Sequence, residues 1–314
     1  MLIKRFSNDS IEIHAPAKIN LFLQVLGKRT DGFHNINSLI QAISLFDRLN
    51  IEKIDQPECR VKLTGDFSST AIENNLVTRA YELFKNEFGL KSGIKVDLEK
   101  NIPIAAGLGG GSSDCAAVMT AINLIFELRL SNPELVKLSL RLGSDIPFFF
   151  SRGQALVSGR GEIVEETNFP VNYQIIVVST GISVSTAQSY EALNLKLTTN
   201  KSAFTLEPYC ESDVYIELLS GVKNDFEAIQ FEFTPRLMAI KEELLKRGAL
   251  LARMSGSGPT MFGIFLDNCK RRRVSSVNFP DCHLYTVKPF LLTEREMQQQ
   301  EGESNGDYRD SGYS

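Results

Sequence analysis

Ile102-Pro103-Ile104-Ala105-Ala106-Gly107-Leu108-Gly109-Gly110-Gly111-Ser112-Ser113-Asp114 decides how the rest of the chain is placed. Four glycines fall within the five positions 107–111. Without Cβ atoms the backbone comes close to a ligand and reaches positive φ. Ser112, Ser113 and Asp114 are capping residue types, and Ala116 to Ile122 follows without Pro or Gly, so a helix is predicted to start here. Its free N–H groups and positive dipole end then face the loop, which suits phosphate. A flexible linker before a helix is the plain alternative, and the glycine density and paired serines weigh against it.

Two familiar phosphate loops do not fit. A P-loop places Lys-Ser/Thr after its last glycine, whereas Ser112-Ser113 stands there. The dinucleotide fingerprint needs a third glycine where Ser112 stands, and an acidic residue about 20 positions on at a strand end. No strand-like run near position 130 ends in an acid.

Gly93 to Leu98 is predicted as the strand entering the loop, preceded by a helix with Leu76, Val77, Ala80, Leu83, Phe84 and Phe88 on one face. Asn74-Asn75 caps that helix and Gly89 stops it. Downstream, Asn132-Pro133-Glu134 opens a helix that Gly143 closes. Asp145 follows at a helix-to-strand junction among apolar neighbours, where a carboxylate must find a partner or shift its pKa. A cap or a structural ion pair explains it equally well.

Nearer the start, Ile11 to Ala15 and Leu21 to Val25 alternate as two strands around Pro16-Ala17-Lys18-Ile19-Asn20. Lys18 alone is equally readable as an edge-strand charge that reaches water. Lys28 to His34 is an Asp-Gly turn ending in Phe33 and His34, a pair able to stack on a ring and read its edge. Gly153 to Glu162 is predicted as a hairpin and Tyr173 to Val178 as a buried strand. Ile182 to Ala187 leads into a helix carrying Tyr190, 196–212 is a loop or short helices, and a helix runs from Pro235 to Gly248. Strands Ala249–Met254 and Met261–Phe265 flank Ser255-Gly256-Ser257-Gly258-Pro259-Thr260, either an ordinary hairpin turn or an anion-binding one. His283 to Val287 is the last strand, and 293–314 is polar and aperiodic, a predicted disordered tail.

The 314 residues allow one large domain or two ordinary ones, and 43% hydrophobic with 23% charged residues is a globular composition. A net charge of −4 argues against general nucleic-acid affinity. Five scattered cysteines without CxxC spacing point to reduced thiols in the cytoplasm. Neither a signal peptide nor a membrane-length apolar run is visible.

These motifs together resemble the GHMP kinases, small-molecule kinases named after galactose, homoserine, mevalonate and phosphomevalonate. Pro103-Ile104-Ala105-Ala106-Gly107-Leu108-Gly109-Gly110-Gly111-Ser112-Ser113 is similar to that family's ATP-phosphate motif, and Met254-Ser255-Gly256-Ser257-Gly258 to its third motif. Pro16–Leu21, Arg29–His34, Gly143–Phe148 and Asn224–Glu227 resemble one branch, whose substrate is a cytidine diphosphate-linked methylerythritol of the non-mevalonate isoprenoid pathway.

The resemblance implies an α+β, two-domain fold: a ribosomal-protein-S5-like, ATP-binding half over 1–165 and a ferredoxin-like half over 166–292, with mixed sheets and the active cleft between them. It implies Asp145 as catalytic base and Lys18 as catalytic cation. Asn20, Phe33, His34 and Tyr190 fall on substrate-binding positions, with Phe33 and Tyr190 sandwiching cytosine and His34 on its edge. Phe33 stands where the family commonly has tyrosine. ATP and Mg2+ are the implied cofactors; no protein metal ligand is assigned, although Ser112 or Ser113 can offer a hydroxyl. A homoserine- or mevalonate-type kinase and a non-catalytic binding module stay as alternatives.

Overall fold

The computed structural model describes residues 1–66, 75–182, 184–194, 212–266 and 279–300. Its spine is a hairpin of two long strands, β2 (Ser10–Lys28) and β3 (His34–Ile54), turned at Arg29–Phe33. Gly32 takes φ 87° there, a conformation that glycine reaches without strain. The first sheet runs β1 (Leu2–Phe6), β2, β3, β5 (Gly93–Glu99), β4 (Cys59–Thr64). β6 (Gln154–Gly159) pairs with the other half of β3 and carries β7 (Ile163–Glu166), so the hairpin expected over Gly153–Glu162 has its second strand just beyond that stretch. β4 and β5 are parallel, so this sheet is mixed.

β2 corrects one expectation. Pro16 to Asn20 does not separate two strands but lies inside a single one, with register shifts at Pro16/Ala17, Asn20/Phe22 and Val25/Gly27. Bulges accommodate the proline and change which face each residue meets. Ile11, Ile13 and Ala15 pack in the core with the helices, whereas Ala17, Ile19 and Leu21 pack with Ile175, Val177, Phe262 and Ile264 of the second sheet. Between them Lys18 and Asn20 are turned toward the glycine loop.

Helix α1 (Leu76–Phe88) is capped by Asn75, which accepts from Val77 N, and stops at left-handed Gly89, as predicted. α2 (Gly110–Ile125) is buried along most of its length. Its cap is Gly109 at φ 71°, not a serine or Asp114, so Ser112, Ser113 and Asp114 lie within the helix. The left-handed turn at Gly109 leaves a helical backbone from Gly110 onward, one turn earlier than the side-chain caps suggested. α3 (Asn132–Ser139) is capped one residue before Asn132 by Ser131, with Glu134 reaching back to it.

The second sheet has the order β11 (His283–Val287), β8 (Gln174–Ser179), β10 (Met261–Phe265), β9 (Leu251–Met254), antiparallel throughout, the ferredoxin-like arrangement. The helices α4 (Thr186–Asn194), α5 (Ser212–Ser220), α6 (Glu227–Phe233) and α7 (Pro235–Lys246) belong to this half. The α+β class with its mixed first sheet agrees with the expectation; the loop expected at 196–212 falls almost wholly outside the described residues.

After β11 the chain crosses back to the first sheet. Phe290 N donates to Ala42 O at 2.8 Å and Leu292 N to Arg152 O at 2.8 Å. The polar tail expected from Thr293 instead begins with a helix, α8 (Glu294–Gln300). Thr293 and Glu296 form its capping pair, with Thr293 N donating to Glu296 Oε2 at 2.7 Å. Among the described residues no helix is long and apolar enough to cross a membrane.

Candidate active site

Two glycine turns meet back to back at the middle of β2. Ser255 Oγ donates to Gly107 O at 2.8 Å, and a Cβ on Gly107 would strike the Ser255 carbonyl. Lys18 N donates to Leu108 O at 2.9 Å, which ties the loop to the strand. The Lys18 side chain then passes directly over Gly109. A Cβ there would lie 2.9 Å from Lys18 Cγ and 3.0 Å from Phe149 Cζ. The first intrahelical bond of α2 runs from Ser113 N to Gly109 O, 2.9 Å, so the amides of Gly110, Gly111 and Ser112 have no partner within the helix. Gly111 is exposed and Ser112 partly so, which opens this helix end to solvent.

Lys18 is buried, at 4% exposure, and its Nζ donates to Asn20 Oδ1 at 2.6 Å. The same oxygen accepts from Gly256 N at 2.9 Å, while Asn20 Nδ2 donates to Ser38 Oγ at 2.8 Å. Asn20 therefore joins the lysine, the second glycine turn and β3. Burial pushes the Lys18 ammonium below its ordinary pKa, and the negative charge of Asp145 pulls it back up. Asp145 itself is exposed, in the turn before the 3-10 segment Pro147–Phe150. Its apolar neighbours in sequence turn inward while its own side chain stays in water, so it is not the buried acid that its flanks suggested.

The second turn is less available than it looks in sequence. Gly256 N is taken by Asn20 and Gly258 N by Ser255 O at 3.0 Å. Ser257 Oγ lies 3.0 Å from Thr186 Oγ1 at the start of α4. Asn224 Nδ2 donates to Met254 O and Gly256 O, each at 2.8 Å, and Glu227 Oε1 accepts from Met254 N at 2.8 Å. This turn is a built support for Asn20 and the first loop.

At the far end of β2 the aromatic residues gather. His34 stacks on Tyr190, with centroids 4.8 Å apart and planes at 22°, and Tyr190 meets Phe226 edge-on at 4.8 Å. Burial, and then the Asp145 charge, push the Tyr190 phenol up. Phe33 is exposed, with the Arg160 guanidinium 4.9 Å from its ring centre. His34, rather than Phe33, occupies a face of Tyr190 in this conformation.

A buried lysine beneath an open helix end, with a solvent-reachable acid acting on it, is equipped to move a phosphoryl group to an acceptor that loses a proton. Residues 75–153 match the model of the GHMP kinases N terminal domain and 215–276 that of the GHMP kinases C terminal. The 4-diphosphocytidyl-2-C-methyl-D-erythritol kinase of Lachnoclostridium phytofermentans is 40% identical over 266 residues, 83% of this chain and 90% of that one. The chain belongs to the GHMP kinase family. It is an ATP-dependent small-molecule kinase. A crystal structure of 4-(cytidine 5'-diphospho)-2C-methyl-D-erythritol kinase superposes with TM-score 0.71 at 29% identity, covering 88% of this GHMP kinase and 99% of that chain. A mevalonate kinase structure superposes with TM-score 0.68 at 15% identity, covering 90% and 99%, which shows the shared fold.

Several residues that build the site carry no distinctive local signal in the sequence. Arg253 is buried and donates to the carbonyls of Leu21, Leu219 and Val222, clamping β9 to β2 and to the end of α5. Its mark in sequence is a lone arginine in an otherwise apolar strand. Ser38, Asp47 and Lys100 likewise sit in strands or at strand ends, where a polar residue is ordinarily a solvated one.

Proposed function

We propose that this kinase transfers the γ-phosphoryl group of ATP to the 2-hydroxyl of 4-diphosphocytidyl-2-C-methyl-D-erythritol, in the non-mevalonate route to isoprenoid precursors. The observation that carries the choice of substrate is the 40% identity over 266 residues to a relative named for it. In this reading the triphosphate lies along Pro103–Ser113 and is held by the open amides of α2. Asp145 takes the proton from the acceptor hydroxyl as its oxygen bonds to phosphorus and the β–γ bridging bond breaks, releasing ADP. Lys18 offsets the charge that develops on the transferred group, and Asn20 holds the lysine in place while lining the acceptor site. Phe33 and Tyr190 stack on cytosine and His34 reads its polar edge. Gly256, Ser257 and Gly258 act on the phosphate side chiefly by bracing Asn20.

Mg2+ fits this donor set. Ser112 and Ser113 stand on the first turn of α2, and Ser113 Oγ is buried without a hydrogen-bond partner. These hydroxyls, phosphate oxygens and water would hold it, and it would neutralise charge across the β- and γ-phosphates. Among the described residues there is no cluster of three or more His, Cys, Asp or Glu to replace them. The same reading divides the chain into an ATP-binding half at 1–165 and a second half at 166–292. Free thiols at Cys59, Cys115 and Cys282 support a cytoplasmic setting.

ADP release with ATP-Mg2+ and each of three alcohols tests the substrate. Turnover is expected with the cytidyl-erythritol and not with homoserine or mevalonate. Turnover with homoserine or mevalonate alone would refute the assignment, and turnover with none would favour a binding module.

A further inference from the structure

Beneath the glycine loop lies a buried ionic cluster that none of the steps above uses. Lys100 follows β5 at 6% exposure, and its Nζ donates to Asp114 Oδ2 at 2.6 Å and also to Asp47 Oδ2. Asp47, on β3, is completely buried. Its other oxygen accepts from Asn101 N at 2.6 Å and Ile102 N at 2.9 Å, where the loop begins. Asp47 also lies under the start of α2, since a Cβ on Gly110 would come within 3.4 Å of Oδ2. Asp114 stands in the next turn of the same helix, and its Oδ1 has no hydrogen-bond partner.

Asp47 fixes the loop's first amides, but it brings a carboxylate against the helix end that must receive phosphate. That helix end carries roughly half a positive charge, and a bare carboxylate a few ångströms away in a dry interior would cancel it. Lys100 is the compensating cation. We infer that Lys100 is a positioning residue for ATP: it neutralises Asp47, so that Asp47 can hold the loop without weakening the phosphate site. Two acids share one lysine, so Asp47 keeps the charge and Asp114 is the one held nearer to neutral. Burial raises its pKa, Lys100 opposes that, and Asp47 adds to it.

The inference rests on the loop being the ATP phosphate site. The test measures MgATP affinity by calorimetry, and KM for ATP and for the acceptor, in the wild type, Lys100→Met, Asp114→Asn and the double variant. Lys100→Met is expected to weaken ATP on the order of ten-fold or more, with the acceptor KM held within about two-fold. Asp114→Asn should bind ATP as tightly as the wild type or more so. The double variant should bind ATP about as Lys100→Met does, because without Lys100 the Asp114 carboxyl is already uncharged and Asp47 is the uncompensated acid; a purely structural role would leave ATP affinity untouched in every folded variant. Wild-type ATP affinity in Lys100→Met overturns the inference while leaving the phosphate site standing. A wild type that does not bind ATP removes both. If Lys100→Met does not fold, Asp114→Asn decides alone, and weakened ATP binding there overturns the inference.

Discussion

Lys18 and Lys100 are both buried, at 4% and 6% exposure, and both lie against the glycine loop, yet their surroundings are opposite. Lys100 touches two carboxylates. Burial alone would lower its pKa, but Asp114 and Asp47 outweigh that and raise it. The Lys18 ammonium donates to an amide oxygen and feels a carboxylate only from Asp145; burial wins and its pKa falls. A buried cation matched by acids in contact has little field left for a ligand. One left under-matched keeps its field for whatever negative charge arrives. The difference separates a lysine that holds the site together from one that acts in it.

The sharpest way to break this contrast is at Asp145. Asp145→Asn should lower kcat on the order of 10²- to 10⁴-fold, the usual worth of a general base, with ATP affinity nearly unchanged. Normal turnover in this variant would mean that the proton goes elsewhere. Gly109→Ala comes next. Its φ of 71° is costly for alanine by about 1–3 kcal/mol, and the added Cβ presses on Lys18 Cγ and Phe149. KM for ATP should rise and Tm should fall together; an unchanged KM would separate Lys18 from the loop. A smaller effect is expected from Asn20→Ala, which removes the amide that links Lys18 to Gly256. A loss of about ten-fold in kcat/KM fits a residue that aims the lysine, and Tm should fall as well because the Lys18 ammonium, Gly256 N and Ser38 Oγ lose a buried partner.

How much of this contrast could be read beforehand follows from distance along the chain. The helix starts and stops at Asn75, Gly89 and Gly109–Gly110 depend on neighbours within a few residues, and local chemistry places them to within a turn. The loop and Lys18 stood out because glycine clusters and a lysine in apolar sequence are locally odd. The Lys100 cluster did not, because its partners stand 53 and 14 positions away and each is ordinary in its own segment. The bulge at Pro16/Ala17, which turns Lys18 to the loop, is defined by pairing with Phe46 and Ile43 on the other strand. Asp145 departs from its sequence surroundings for the same reason, since its apolar flanks are buried by the fold while its own side chain is not. The stacking of His34 on Tyr190 joins two rings far apart in sequence, which only the tertiary packing decides.

The finest test follows the charge state of Lys18 itself. Its pKa in the folded protein lies below 10.5, so between that lowered value and 10.5 the unfolded chain holds a proton that the folded chain has released. Stability from this group therefore rises with pH across that window, and below it the buried ammonium weighs against folding. Asp145 is the cause that raises the value, so in Asp145→Asn the Lys18 titration should move further down and the window should widen at its lower edge. Lysine-selective NMR of the side-chain ε carbon against pH reads this directly. For Lys100→Arg the Lys18 curve should stay where it is, because that cluster is already balanced by its own acids. A Lys18 curve that ignores Asp145 would leave the acid and the lysine as independent groups, and the under-matched cation at the centre of the site would then owe its state to burial alone.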